Sequence, residues 1–481
     1  MAPSDLLYLV YIAISWIMLF YGANVYYLLY RSVKNGNPPK KVPLDKFPFV
    51  TIQLPIYNEQ YVVNRLIQAV CRLNYPKDRM EVQVLDDSTD STREITKSVA
   101  EQFIKQGFAI RVLTRENRIA YKAGALQYGL NDARGDFIAI FDADFIPHQN
   151  FLLDILPYFS SKSIGMVQVK WGHLNESYST LTKAQSINLD THFLVEQKGK
   201  SNSALFMNFN GTAGMWRKEC IVDSGGWRDS LAEDLDLSFR AQLRGWKLVF
   251  LHNVSCPAEL PVQINASKRQ QFRWAKGSIQ CARRLLKQIL TARVPYITKV
   301  QAFVQLTRHI VHPLVIAHLL ILPALMLGRY EIAAQTGLVA TLVISPPIFT
   351  YSLWKIYGNK WPLKLSNYFY LLLFGAGISV NNSRAVVEGL IKKPSEFLRT
   401  PKFGIVKNTD TWKDKKYVLP FTKTTLAEIA LALYGVYAFM VAIITGNFFV
   451  IPYIVLLTLG FTYVAVLTIA HSTKTGIAYK A

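Results

Sequence analysis

Acidic pairs recur through the first half of the chain, at Asp86-Asp87, Asp142-Ala-Asp144 and Glu233-Asp234. Two aspartates one residue apart share a face in extended backbone and diverge in a turn, so local geometry decides whether Asp142 and Asp144 reach one ion. Hard oxygen ligands paired this way suit Mg2+ or Mn2+ bridging a diphosphate. An ion held there would act as a Lewis acid towards a departing nucleoside diphosphate. The competing reading is a solvated turn with a helix-capping aspartate. In Leu85-Asp-Asp-Ser-Thr-Asp90, one carboxylate suits a helix cap and the other suits hydrogen bonds from a base or ribose. Asp234 opens a predicted helix, whose dipole favours the ionised carboxylate. Beside an acceptor hydroxyl it would be a general base, and elsewhere a cap. Downstream lies Gln270-Gln-Phe-Arg-Trp-Ala-Lys-Gly277, within a stretch from Leu260 to Val300 that carries Lys268, Arg269, Arg273, Lys276, Arg283, Arg284, Lys287, Arg293 and Lys299 and no acidic residue.

Between Phe49 and Asp144 apolar runs alternate with helical stretches: Phe49 to Pro55, Glu81 to Leu85, Ala109 to Leu113 and Phe137 to Phe141 are the predicted strands. The βαβαβαβ pattern implies a mostly parallel sheet with right-handed crossovers, and such sheets bind ligands where strands end. Asp86, Asp87, Asp142 and Asp144 all fall just past a predicted strand. The 481 residues are 51% hydrophobic, which points to a membrane protein with a soluble portion. Leu6 to Tyr30 lacks a small-residue cleavage site and reads as an uncleaved span. Asp5 precedes it and Arg31, Lys34, Lys40 and Lys41 follow, which places the next part in the cytoplasm. Later candidate spans are Ala302 to Leu327, Glu331 to Tyr357, Thr424 to Thr445 and Phe448 to Ala470. Leu365 to Leu390 is interrupted by Gly375 and Gly377 and has basic flanks on both sides. It reads as an interfacial or re-entrant helix, which leaves five spans, an outside amino terminus and a cytoplasmic carboxyl terminus with Lys474 and Lys480. Arg308, His309, His312 and His318, within a span, either line a sugar channel or, for Arg308, snorkel to the headgroups.

The net charge of +22 concentrates beside the spans, favouring lipid headgroups and diphosphates over nucleic acid. The four cysteines show no CxxC spacing and the histidines no HExxH, so the thiols are expected to be free and structural.

Taken in order, Pro55-Ile-Tyr-Asn-Glu59, Asp86-Asp-Ser-Thr-Asp90, Lys122-Ala-Gly-Ala125, Asp142-Ala-Asp144, Asn210-Gly-Thr212, Gly225-Gly-Trp227, Glu233-Asp234 and Gln270-x-x-Arg-Trp274 resemble the family-2 glycosyltransferases. The likeness runs strongly from Phe49 to Leu285 and falls in the cellulose-synthase-like group, nearest its plant glucomannan and mannan synthase branch, which also shares Phe209-Asn-Gly-Thr-Ala-Gly214 and Val195-Glu-Gln197. Ala232 departs from the usual Thr-Glu-Asp, as Ala275-Lys276 departs from the plant branch. The resemblance implies an α/β GT-A (Rossmann-like) cytoplasmic domain with amphipathic interface helices and about five transmembrane helices. The expected divisions are 1–31 (first span), 45–259 (GT-A domain), 260–299 (interface helices), 300–358 (two spans), 364–420 (interfacial helix and gating loop) and 424–471 (two spans).

The resemblance also implies roles. Pro55, Tyr57, Glu59, Asp86, Asp87, Lys122, Gly124, Asp142, Gln270, Arg273 and Trp274 would bind the nucleotide sugar, and Asp142 with Asp144 would hold Mg2+ or Mn2+. Asp234, with Glu233 beside it, would activate the acceptor hydroxyl and invert the anomeric carbon. Trp171, Gly211, Trp227 and Trp274 would meet the acceptor, where aromatic faces pack sugar CH groups, and arginine beside a leaving diphosphate neutralises developing charge. The helix carrying Gln270, Arg273 and Trp274 would lie on the cytoplasmic leaflet, its positive charge suiting anionic lipid. Phe397-Leu-Arg-Thr-Pro-Lys402 resembles the gating loop of cellulose synthases, with Phe397, Thr400 and Lys402 closing over the nucleotide; the alternative is a basic lipid-contact loop. The implied function is transfer of a hexose from UDP-glucose or GDP-mannose to a growing β-linked polysaccharide that crosses the cell membrane. The same site would serve a single transfer to ceramide, diacylglycerol or a polyprenyl phosphate. A basic membrane scaffold or transporter is the non-enzymatic alternative, and it would leave the carboxylate set without use.

Overall fold

The computed structural model describes residues 3–34, 40–330, 332, 345–394 and 396–472. Its soluble part is built on a seven-stranded sheet of order β3-β2-β1-β4-β6-β5-β7. The strands are β1 (Val50–Ile56), β2 (Met80–Asp86), β3 (Ile110–Leu113), β4 (Phe137–Ile140), β5 (Ile164–His173), β6 (Gly214–Arg217) and β7 (Lys247–Ala258). The first four pair in parallel, as the alternation of apolar runs and helices predicts. β6 then inserts antiparallel to both β4 and β5, which makes the sheet mixed. β1 and β2 are buried on nearly every residue because helices cover both faces of a parallel sheet, so these strands lose the polar-apolar alternation. Helix Val63–Cys71 shows how the cover is made: Val63, Leu66, Ile67, Val70 and Cys71 are its buried positions, the spacing of one helical face. The four cysteines are free and buried.

Register brings the chemistry to one edge. Ile56 pairs with Asp86 across β1 and β2, and Gln53 pairs with Ile140 across β1 and β4. The turns after β1, β2 and β4 therefore emerge together at the carboxyl end of the sheet, the ligand-binding edge of open α/β folds.

Among the described residues four helical segments are long and apolar enough to cross a membrane: Asp5–Val33, Tyr296–Leu327, Thr424–Ile444 and Phe448–Ser472. A further pair bent by 43°, Pro346–Gly377 with Ser379–Leu390, has the form of a broken span or of a re-entrant segment, and makes a fifth if it is one span. The predicted span Glu331 to Tyr357 lies partly outside the described residues, as do Lys474 and Lys480; its visible part is the helix Ser345–Tyr357. Helices Leu365–Gly377 and Ile451–Ser472 touch backbone to backbone. A Cβ on Gly377 would stand 2.2 Å from the Gly460 carbonyl oxygen, and one on Gly460 would meet the Ala376 Cβ at 2.5 Å. Small residues at a helix contact permit this approach.

Gln270, Arg273 and Trp274 lie on the 28-residue helix Ile264–Thr291. Its positive charge is not all turned to a leaflet. Lys268 and Lys276 are buried, paired with Glu428 at 2.7 Å and Glu388 at 2.9 Å. Glu428 comes from the helix Thr424–Ile444 and Glu388 from Ser379–Leu390, so the two lysines fasten this helix to the apolar bundle.

Candidate active site

A cleft of about 1250 Å3 of empty space, open solvent included, lies at that sheet edge, roofed by the helix Ile264–Thr291 and the segment around Phe397–Lys402. At one end β1 presents Pro55 and the turn after it presents Tyr57 and Glu59. Asn58 takes a left-handed conformation there, φ 54°, which asparagine tolerates better than most residues. Its backbone N–H donates to Ser88 Oγ at 2.9 Å and its Oδ1 accepts from Thr89 N–H at 2.8 Å, tying the β1 and β2 turns together. Glu59 pairs with Arg399 at 3.0 Å. Burial, partly offset by Arg399, pushes its pKa up to about 8.

The adjacent aspartates separate into two roles. Asp87 faces the cleft and is gripped by Arg115 at 2.5 and 3.0 Å. Asp86 is fully buried outside the cleft lining, its Oδ1 accepting from Ser88 N–H at 2.9 Å and its Oδ2 without a partner among the described residues. Arg118 lies over the Tyr57 ring at 3.3 Å from its centroid. Gly124, expected to bind the donor, falls outside the lining: a Cβ there would come 2.1 Å from Ile119 O and 2.5 Å from Arg115 Nη1. Its contribution is to let the arginine-bearing loop pack closely.

In the middle of the cleft each aspartate of the Asp142-Ala-Asp144 pair is matched by a lysine. Lys122 Nζ sits 2.6 Å from Asp142 Oδ1 and donates to Gly211 O at 2.9 Å. Lys402 Nζ sits 2.7 Å from Asp144 Oδ2 and also donates to Glu259 O. Burial opposes the Lys122 ammonium, yet Asp142, Glu233 and Asp234 outweigh it and raise its pKa. Among the described residues no group of three or more His, Cys, Asp or Glu is assembled to hold an ion. Two carboxylates at a cleft suit a small hard cation whose remaining ligands come from substrate phosphates and water. The donor set fits Mg2+ or Mn2+ on those terms.

Glu233 and Asp234 begin the helix Glu233–Leu243 and both line the cleft. The sequence predicts an ionised Asp234 under the helix dipole. Instead burial, with Glu233 adding to it against Lys122, raises its pKa well above the ordinary aspartate range. Gly211 has φ +84°, and a Cβ on it would lie 3.1 Å from Asp234 Oδ2 and 3.3 Å from Lys122 Nζ. Only glycine lets the backbone pass so close in that conformation. Gln270, Arg273 and Trp274 close this side, Arg273 resting 4.3 Å from the Phe397 ring centroid.

Trp171 lines the cleft, set edge-on to Phe145 at 5.3 Å. Trp227 does not: it is buried against Trp216, centroids 6.2 Å apart, so its expected acceptor contact is replaced by a place in the core. Phe397, Thr400 and Lys402 all reach the cleft. Their segment is anchored by Glu259, whose Oε1 accepts from Phe403 N–H at 2.8 Å and whose Oε2 accepts from Gly404 N–H at 2.9 Å and Arg65 at 3.2 Å. Arg115, Arg118, Glu259 and Arg399 were not singled out from the sequence. For the first two a signal existed: they follow β3, at the same carboxyl edge that marks Asp87 and Asp142.

The family model described as "Glycosyltransferase like family 2" matches residues 48–277. Glucomannan 4-beta-mannosyltransferase 1 of Cyamopsis tetragonoloba is 36% identical over 378 residues, covering 75% of this chain and 69% of that protein. Glucomannan 4-beta-mannosyltransferase 9 of Arabidopsis thaliana is 34% identical over 388 residues, covering 78% and 71%. In fold, the chain is similar to the mannosyltransferase PcManGT from Pyrobaculum calidifontis in complex with GDP-Man and Mn2+, with a TM-score of 0.59 and 19% identity over 81% of this chain and all of that one. With a GT-A-like sheet, apolar helices of spanning length and relatives of this kind, the chain belongs to the family-2 glycosyltransferases, in the cellulose-synthase-like group alongside the glucomannan mannosyltransferases.

Proposed function

We propose that this enzyme moves mannose from GDP-mannose to the end of a β-linked polysaccharide, with inversion, and passes the polymer into the membrane part. The carrying observation is that Asp234, the paired aspartates Asp142 and Asp144, and Arg273-Trp274 share one cleft. The names of the relatives, glucomannan 4-beta-mannosyltransferases, support mannose over glucose. In this reading Tyr57, Asp87 and Arg118 hold the nucleoside, and Lys122 and Lys402 meet the diphosphate. Asp142 and Asp144 would hold Mg2+ or Mn2+, which supplies charge stabilisation to the departing diphosphate. Asp234 takes the proton from the acceptor hydroxyl as that oxygen forms its bond to the anomeric carbon and the bond to the diphosphate breaks on the opposite face. Arg273 lies where it balances the developing charge. Trp171 and Trp274 offer faces to the acceptor. The basic flank after the first span supports a catalytic part on the cytoplasmic side of the cell membrane.

The test uses purified protein in lipid nanodiscs with GDP-mannose or UDP-glucose and Mg2+ or Mn2+. A ladder from GDP-mannose that an endo-β-mannanase degrades is the expected product. A ladder from UDP-glucose alone overturns the donor assignment, and a single organic-soluble glycolipid overturns the polymer acceptor.

A further inference from the structure

The string Val195-Glu-Gln197 falls in a single π-helical turn, His192–Gln197, between helices Thr180–Thr191 and Lys198–Ser201. A π-turn is rare and recurs at functional sites. This one gathers a connected set of polar side chains. Gln197, fully buried, donates from Nε2 to Asn208 O at 2.7 Å and to Asn210 Oδ1 at 2.6 Å. With its oxygen so engaged, Asn210 turns Nδ2 to His192 Nε2, 3.2 Å away. His192 Nε2 is then the acceptor and Nδ1 carries the proton, facing Glu196 Oε2 at 2.9 Å. The same Glu196 oxygen takes Arg308 Nη1 at 2.8 Å, from the segment that joins the two halves of the span Tyr296–Leu327. Burial holds the imidazole pKa below its ordinary value, with Arg308 and Lys200 adding to that against Glu196. The ring is neutral, as the acceptor role at Nε2 requires.

Asn210 lines the cleft next to Gly211, whose backbone abuts Asp234 and Lys122. Its backbone N–H is fixed on Gln168 Oε1 at 3.0 Å. The described residues supply no partner for its second amide hydrogen, and an amide oxygen can take two bonds. We propose that His192, braced by Glu196 and Arg308, is a positioning residue that locks the Asn210 amide so that it reads a hydroxyl of the hexose at the reacting centre. The pair thereby sets which hexose is transferred. Arg308, which reads from the sequence as a channel or snorkelling residue, forms the far end of this brace.

The inference rests on the reading of the cleft as a nucleotide-sugar site. It is tested by the ratio of kcat/KM for GDP-mannose to that for GDP-glucose, which differ in a single hydroxyl configuration. Asn210→Ala removes the contact and is expected to lower the ratio about tenfold, the scale of one lost hydroxyl-directed hydrogen bond. His192→Leu, which loses the Nε2 acceptor, is expected to lower it by a similar factor, and the double variant by no more than either alone. His192→Gln, whose amide oxygen reaches the Nε2 position, is expected to restore the ratio. An unchanged ratio in Asn210→Ala overturns the proposal even if His192→Leu fails to fold. So does a folded His192→Leu that loses kcat with the ratio intact, because that is the mark of a scaffold. Wild-type protein that transfers from neither donor overturns the functional reading itself, and this proposal with it.

Discussion

Asp234 and Glu233 sit side by side in the cleft, where burial and the Glu233 carboxylate raise the pKa of Asp234. A base must be deprotonated to act, so raising the pKa of Asp234 moves the acid limb of activity to higher pH than an ordinary aspartate near 3.9 would give. Activity is therefore expected to fall on acidification well before such a carboxylate protonates. Glu233→Gln removes a negative neighbour that raises this pKa, and the limb of kcat/KM should move to lower pH; an unmoved limb assigns it to another group. Asp234→Asn is expected to cost roughly 10^2 to 10^4-fold in kcat while nucleotide binding by calorimetry persists. At Asp144 the expectation is competition. The Lys402 ammonium lies on the carboxylate an ion would use, so Lys402→Gln should tighten Mn2+ binding to nucleotide-free protein, read by electron paramagnetic resonance, while weakening donor binding. Weaker Mn2+ binding in that variant would place the ion elsewhere. The paired carboxylates were legible because each is a short run at an element end, and Gln270-x-x-Arg-Trp274 because it lies in a basic stretch with no acidic residue. Which of Asp86 and Asp87 faces in was not, since a strand end sends neighbours to opposite sides and the pattern does not say which. Glu259 and Arg399 were invisible for another reason: they meet the site only through folding across long separations.

At the scale of elements, the first four strands were readable as apolar runs, and the sheet edge they share located most of the cleft. β5, β6 and β7 carried no reading, and the antiparallel insertion of β6 is a matter of tertiary pairing that periodicity does not encode. The helix Ile264–Thr291 shows a subtler limit. Its charges were countable, but the acids that meet Lys268 and Lys276 come from helices more than a hundred residues later. Lys268 and its partner Glu428 are both buried, with no second cation beside the carboxylate among the described residues. Removing one member of such a pair strands a buried charge, at a cost of about 3–5 kcal/mol, whereas replacing both by apolar residues is often near neutral. Lys268→Met is thus expected to lower the thermal midpoint in detergent strongly, and Lys268→Met with Glu428→Leu to recover much of it. Equal losses in the single and double variants would show that packing, not charge, fixes this helix over the cleft.

Across the whole molecule, one segment joins the membrane part to the active site at two points. Between the helices Ser379–Leu390 and Thr424–Ile444 the chain returns over the cleft, where Arg399 meets Glu59 at one end and Lys402 meets Asp144 in the middle. Beyond it, Leu419 N–H is held by Gln263 at 2.9 Å, and Tyr417 hydrogen-bonds Asp90, so the return path is pinned to the glycosyltransferase part. Glu259 is the central clamp: its two oxygens take the N–H groups of Phe403 and Gly404 together with Arg65. Glu259→Ala frees all three donors at once while keeping the backbone bonds of residue 259 to Asp144 and Lys402. The expected result is faster amide hydrogen exchange at Phe403 and Gly404, and a KM for the donor raised several-fold with kcat nearly kept, because a loop that closes over the donor contributes binding before chemistry. A fall in kcat with KM and exchange unchanged would mean that Glu259 only supports the strand end at Ala258, and that closure over the nucleotide is governed elsewhere.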